Sequence, residues 1–539
     1  MKYRRYILLI AIVVVLNTIA CLIPIRFDLT ADKRYSISQP TRELLQSLDD
    51  DIQAQVLLNG KLNSGFIKLR RATFETLDEM HHIGHLRVVE ADSPDLSHLQ
   101  PTVIHEREQD GRTVQTTIYP YVILSYHGRQ TIVPLLRNNR GLTGEQNLNL
   151  SIQNLEYALA EAIHSLSRTQ VERIAFLEGH GELPERYVYD ICSQLSRYFD
   201  IDRGVLSNDP TVLDGYKAVV IADPQTAFSD SDKYILDHYL MQGGRILWVV
   251  NGVRFSDELL SSSGMTPIMA LDLNLSDMFF RYGVRINPNL VQDLQCLTVP
   301  VDVSNGSGEP NFQPLPWTYA PLLLTSSTSP VTRDVMQVSA SFASTIDVVG
   351  IAKDSASSLT ANILLATSTA SRITPTPGEV DLNEFGADPT LFHAAFLPVA
   401  VELTGNFPSF YQHRLPPQGF TDFRHTSSLP TKQIFIACGS IIRNGWQQNQ
   451  PNPLGFDGYS GIQFGNRDFL TNAVLDLADD SGLINLRVKS FQLRLLNDQR
   501  AHQNITAIRL ISIAIPLLII ALIALIVALV RIHKYIKDE

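Results

Sequence analysis

Apolar residues are spread unevenly along the chain, and the two densest runs lie at its ends. Tyr6 to Ile25 (YILLIAIVVVLNTIACLIPI) holds twenty residues without a charge, and Leu510 to Val530 (LISIAIPLLIIALIALIVALV) holds twenty-one. At a rise of about 1.5 Å per helical residue, each run matches the ~30 Å hydrocarbon core of a bilayer. The pattern predicts two terminal transmembrane helices. Lys2, Arg4 and Arg5 precede the first run, and Arg531, Lys534 and Lys537 follow the second. Positive charge on those flanks predicts cytoplasmic termini and an extracytoplasmic body between them. A cleaved signal peptide is the rival reading of the first run, with Thr18-Ile19-Ala20-Cys21 as a loose cleavage site. Against it, Leu22, Ile23 and Ile25 keep the segment apolar beyond Cys21.

Shorter patterns organise the body. Leu44, Leu45 and Leu48 form the stripe of a helix that Ser38 and Pro40 can start. Ile52 to Leu58 alternates like a strand, Ile67 to Met80 has helical spacing, and Leu86 to Val89 is again strand-like. Strands follow at Thr113–Ile118, Tyr121–Tyr126 and Thr131–Leu136, with His127-Gly128 as a turn. This order is thioredoxin-like, but there is no C-x-x-C to carry redox chemistry. Leu148, Ile152, Leu155, Leu159, Ile163 and Leu166 then predict one long amphipathic helix.

From Val171 the period changes. VERIAFL, AVVIA and RILWVV are near-continuous apolar strands separated by helical stretches near Val188–Phe199 and Ser229–Met241. Such alternation predicts a parallel sheet covered on both faces. Between Gln292 and Asp381 the texture becomes rich in Gly, Pro, Ser and Thr, broken by strand candidates at Met336–Phe342 and Val348–Ala352. Ile434–Ala437 reads as a strand returning to the sheet, Phe469–Leu477 as a helix and Ile484–Val488 as a last strand.

Composition narrows the function. The chain has 539 residues, a formal net charge of −11 and four cysteines. An acidic chain lacks the basic footprint of a nucleic-acid binder, and four scattered cysteines make neither a disulfide framework nor a zinc array. No Walker A loop, nucleophile elbow or H-E-x-x-H occurs. These absences leave catalytic, cofactor and metal residues unassigned. Cys192 falls in an expected helix, where a buried structural thiol is the natural reading.

The constellation most like a site is Glu178, His180 and Glu182, directly after a parallel strand, with Asp223 and Asn251 ending two neighbouring strands. Parallel sheets bind ligands beyond the carboxyl ends of their strands, so these five residues define a candidate ligand pocket. The alternative is a Gly-rich turn with polar caps.

Several stretches resemble the GldG family, gliding-motility-associated auxiliary components of ABC transporters in Bacteroidetes. They include RFDLTADKRYSIS, GLTGEQNLNLSIQNLEYALAEAI, IAFLEGHGEL, LPWTYAPLLL, FLPVAVELTGNFPSFY and NPLGFDGYSGIQFGNRDFLTNAVLDLADDSGLINLR. The resemblance implies a non-enzymatic, substrate-binding-like subunit in the bacterial inner membrane. Its bulk would be periplasmic and its partners an ABC ATPase and a multi-span permease, with an envelope or motility partner beyond them. Val171–Val250 also resembles the flavodoxin-like sheet of glutamine-amidotransferase-type domains. Asn251-Gly252 stands where those enzymes carry a nucleophilic cysteine, which argues against hydrolase chemistry. The competing function is a membrane-tethered enzyme or ligand-binding protein acting on an envelope polymer through Glu178, His180 and Asp223.

The expected organisation is therefore α/β. It runs from cytoplasmic residues 1–5 and a first span at 6–25 to a first α/β domain at 26–168. A flavodoxin-like domain follows at 169–290, interrupted by a loop- and strand-rich insertion at 291–430 and resumed at 431–490. A juxtamembrane connector at 491–509, a second span at 510–530 and cytoplasmic residues 531–539 complete it.

Overall fold

The computed structural model describes residues 37–60, 62–89, 99, 101–107, 113–136, 143–168, 171–302, 311–333, 335–350, 359–382, 388–420 and 427–480, with isolated positions 484, 521, 522, 524, 525 and 528. Its N-terminal part starts with α1 (Gln39–Gln46), whose Pro40 sits in the first turn. In β1 (Ile52–Val56), Ile52, Ala54 and Val56 point inward by alternation. Helix α2 (Ser64–Ile83) starts where the Asn63 side chain accepts from the Phe66 N–H, and it buries Phe66, Leu69, Thr73, Leu77 and Met80. Next come β2 (Leu86–Val88), the hairpin of β3 (Thr102–Arg107) and β4 (Thr113–Ile118), then β5 (Tyr121–Tyr126) and β6 (Arg129–Pro134). The four-stranded sheet runs β2-β1-β5-β6, parallel between β1 and β2 and antiparallel elsewhere. His127 and Gly128, at φ of 47° and 75°, close the β5–β6 hairpin in the left-handed conformation that a two-residue turn demands.

The single long helix expected after this sheet is two helices, α3 (Gly144–Gln153) and α4 (Leu155–Ser167). Asn154 breaks it, because its side-chain amide donates to the Leu150 carbonyl at 2.8 Å and its backbone leaves the helical basin. The apolar stripe continues across the break, so periodicity alone does not show it.

The second sheet is larger. Its parallel half comprises β7 (Glu172–Glu178), β8 (Phe199–Val205), β9 (Tyr216–Ala222) and β10 (Arg245–Val249), linked by α5 (Glu185–Leu195) and α6 (Asp230–Met241). After α7 (Ser276–Tyr282) come β11 (Cys296–Asp302), β12 (Phe312–Thr325), β13 (Leu359–Ala366), β14 (Pro398–Gly405), β15 (Thr431–Ile436) and α8 (Asn466–Ala478). The order is β11-β12-β13-β14-β15-β10-β9-β7-β8, with Val338–Ser339 pairing on β12. Strands β15, β10, β9, β7 and β8 are parallel, and β11 to β14 extend the same sheet antiparallel. The Gly- and Ser-rich stretch therefore lengthens the main sheet, besides forming small antiparallel pairs such as Asn289–Asp293 with Ser371–Pro375.

Both faces of the parallel half are covered, which is why its strands read as unbroken apolar runs. Ile174 and Phe176 face Val188, Ile191 and Leu195 of α5 and Phe469, Val474 and Leu477 of α8. Ala175 and Leu177 face the side packed by Ile235 and Tyr239 of α6 and by Met278 and Phe279 of α7. Trp248 is fully buried there, its indole N–H donating to the Gln433 amide oxygen at 2.9 Å.

One expectation needs correction. Among the described residues no helix is long and apolar enough to cross a membrane, so the body carries no support for two terminal transmembrane helices and stands as a mixed α/β fold. Length alone does not make a span. The 20-residue α2 is amphipathic, with Lys68, Arg70, Arg71, Glu75 and Asp78 along it. Residues 6–25, with Lys2, Arg4, Arg5, Arg531, Lys534 and Lys537, lie outside the described residues, as does nearly all of 510–530. The strand expected over Ile484–Val488 also lies outside them, apart from Ile484.

Candidate functional site at the carboxyl ends of the parallel strands

Four loops leave the carboxyl ends of β7, β9, β10 and β15; Glu178 ends β7 itself, and the loops carry the other four candidate residues. The first loop opens with Gly179 and Gly181 at φ of 111° and 75°. A Cβ on Gly181 would lie 3.1 Å from that of Gln225, so glycine lets the first two loops touch. They are joined by the His180 carbonyl, which accepts from the Gln225 and Thr226 N–H groups at 2.8 and 2.9 Å.

Glu178 turns away from its neighbours. Its carboxylate pairs with the Arg203 guanidinium of β8 at 2.7 Å and is half-exposed. His180 and Glu182 turn inward. The imidazole Nδ1 lies 3.1 Å from Glu182 Oε1 and Nε2 lies 3.2 Å from Asp232 Oδ2, while the His180 N–H donates to Glu182 Oε2 at 2.6 Å. The ring stacks on Phe228, centroids 3.7 Å apart. Burial alone would lower the His180 pKa, but the hydrogen bonds from Asp232 and Glu182 outweigh it and raise the value to about 9. At neutral pH the ring is therefore an imidazolium with both nitrogens donating. It has no lone pair for a metal and no basicity for proton abstraction. Asp232 also closes the capping box of α6 with Ser229, so the ion pair ties the β7 loop to a helix start.

Asp223 and Asn251 meet directly. The Asn251 amide donates to Asp223 Oδ1 at 2.7 Å, Gln225 Nε2 donates to the same oxygen at 3.0 Å, and Asn251 Oδ1 accepts from the Gly439 N–H at 2.8 Å. Asp223 is buried, sits at φ 56°, and packs so tightly beneath Gly439 that a Cβ there would overlap its carboxyl group. Burial pushes its pKa up to about 7, with Arg443 and the Gln225 hydrogen bond pulling only weakly the other way. The structure thus brings together His180 with Glu182, and Asp223 with Asn251, and leaves Glu178 outside both clusters. Burial raises the thiols of Cys192 and Cys438 to about 11, which leaves neither as a nucleophile at neutral pH.

Asp232, Gln225 and Gly439 complete these clusters without having been singled out in the sequence. Ser229-x-x-Asp232 was legible as a capping box. Gly439 has no local signal, because its role depends on Asp223 lying 216 positions earlier in the chain.

The family of ABC-type uncharacterized transport systems matches residues 172–473, and a domain family of unknown function, DUF7088, matches residues 31–125. The chain belongs to the ABC-transport auxiliary family. Membership places it among auxiliary components associated with ABC-type transport, and says nothing of gliding. An uncharacterized protein of Borreliella burgdorferi is 22% identical over 324 residues, which cover 58% of each chain, so this chain spans little more than half of that relative. Among solved structures, the mmIFT52 N-terminal domain aligns with a TM-score of 0.33 at 15% identity, over 57% of this chain and 98% of that one. A β-galactosidase from Rahnella sp. R3 aligns with a TM-score of 0.26 at 10% identity, over 61% and 35%. Scores this low do not establish a shared fold.

Proposed function

We propose that the chain is a non-catalytic subunit of an ABC-type transporter that works with a separate ATPase and a multi-span permease. Its role would lie in envelope export or, in gliding cells, in motility. The family match over the parallel-sheet body supports this reading, and the chain has no Walker A loop of its own to bind ATP. The condition of its polar residues also favours it, since His180 is held as an imidazolium and the described thiols are inert. The acidic composition is consistent with a body on the outer side of the inner membrane, beside the permease. Cross-linking in native membranes followed by co-purification should recover an ATPase and a multi-span permease. Repeated recovery of this chain alone overturns the reading.

A second reading is a ligand-binding protein that uses Asp223 and Asn251. The observation favouring it is a buried carboxyl at the end of β9 that is close to half-protonated at neutral pH and, among the described residues, has no cation within ion-pair distance. Such a group offers both a donor and an acceptor to a ligand hydroxyl or amide. Asp223→Leu, with the fold intact and transport unchanged, retires this reading.

A further inference from the structure

Away from the carboxyl ends, a groove of about 1110 Å³ opens between α7 and the turn from Asn406 to Arg414. It shares no residue with the clusters above. Its floor is firmly held. The buried Asp237 carboxylate accepts from the Tyr282 hydroxyl at 2.7 Å, the Ser409 hydroxyl at 2.7 Å and the Phe410 N–H at 2.9 Å.

The rim is cationic on an acidic chain. Among the described residues, Arg281, Arg285 and Arg414 line the groove against one carboxylate, Asp277, whereas the whole chain carries −11. Asp277 is already engaged, by Lys233 at 2.9 Å and by Arg414 at 3.0 Å. Arg285 faces Asp347 at 2.5 Å. Arg281 differs from both: its partners are the Ser409 carbonyl at 3.3 Å and the Gln412 amide oxygen at 2.6 Å, both neutral. Its guanidinium is oriented, and among the described residues no carboxylate pairs with it. Beside it Phe280 is 59% exposed, and Leu415, directly after Arg414, is 79% exposed.

An oriented guanidinium next to an exposed aromatic ring is suited to a carboxylate flanked by an apolar side chain. The groove is also larger and more open than the usual enclosed pocket for a small molecule. We propose that it is the docking surface for an acidic peptide segment of a partner protein. An Asp or Glu of that segment pairs with Arg281, and a neighbouring apolar side chain covers Phe280. The charge contrast between groove and chain argues for an acidic occupant, and the proposal stands independently of which transport proteins accompany this one.

The test is a random-peptide display selection on the purified full chain, with Arg281→Glu, Arg281→Lys and Phe280→Ala alongside. Enriched peptides should be rich in Asp and Glu with an adjacent apolar residue, and should bind more weakly as salt rises. Arg281→Glu should weaken the best peptide by about tenfold or more. Phe280→Ala should weaken it severalfold, and Arg281→Lys should restore part of the loss. Unchanged melting temperatures of these exposed variants separate lost binding from lost folding. Selection of non-acidic peptides, no enrichment, or equal binding by Arg281→Glu overturns the proposal. So does Arg281-dependent binding to phosphatidylglycerol vesicles, which would assign the groove to a lipid surface, or Arg281-dependent dimerisation, which would assign it to a second copy.

Discussion

The His180 loop and the Asp223 turn touch through their backbones, yet they handle buried charge in opposite ways. His180 lies between two carboxylates and is stacked on Phe228, so its charge is compensated on both ring nitrogens. Among the described residues Asp223 takes neutral donors, Asn251 and Gln225, both on one oxygen. The first arrangement fixes a charge state and locks a loop to the start of α6. The second leaves a carboxyl close to its own titration point. Being buried beside a strand end therefore does not make a residue chemically poised; the partners that reach it decide.

The largest effect expected from breaking this contrast is at His180. Replacing it with Leu strands Glu182, whose side chain is 2% exposed, together with Asp232. A loss of ~3 kcal/mol in denaturant unfolding is expected; a loss below ~1 kcal/mol would mean the ion pairs hold nothing. The pH dependence has a definite sign. The folded pKa of about 9 exceeds the ordinary histidine value of 6.5, so the His180 contribution is complete below pH ~6.5. It is lost as pH rises through ~9, and this dependence should vanish in His180→Leu.

Gly439→Ala comes next, because the new methyl group would collide with the Asp223 carboxyl. Overpacking of this kind costs ~2 kcal/mol, and a wild-type melting temperature would show that the turn yields freely. Asp223→Asn should act in the other direction. The folded pKa of about 7 lies above the ordinary aspartate value of 3.8, so wild-type stability falls as pH rises between those values. The variant should match wild type near pH 4 and gain on it progressively as pH rises toward 7; a difference independent of pH would contradict the buried carboxyl. The smallest effect belongs to Asp347→Ala. It removes the exposed pair with Arg285, and a change within ~0.5 kcal/mol is expected.

Much of the architecture was legible because periodicity records burial. Ile52, Ala54 and Val56 alternate, and α2 shows its stripe of Leu69, Leu77 and Met80. The unbroken VVIA and ILWV runs reflect a sheet covered on both faces. Asn154 was not legible as a break, since its effect rests on a side-chain hydrogen bond rather than on the apolar pattern. The terminal apolar runs show the limit of composition, because hydropathy measures preference for an apolar medium without showing what the segment meets. At the candidate site, strand ends picked out five residues. Partner identity then divided them, turning Glu178 toward Arg203 while His180 found Asp232.

The sequence by itself determined the elements of the α/β body, the absence of a Walker A loop, and which polar residues follow the parallel strands. These are properties of local order and spacing. Tertiary structure alone decided that the Gly- and Ser-rich stretch extends the main sheet and that Gly439 covers Asp223. It also decided that Arg281, bonded to the Ser409 carbonyl and the Gln412 amide, faces a groove formed with residues more than a hundred positions away. The reason is physical. Burial pattern is encoded every two to four residues, whereas the charge state of a buried group depends on whichever distant side chains the fold packs against it.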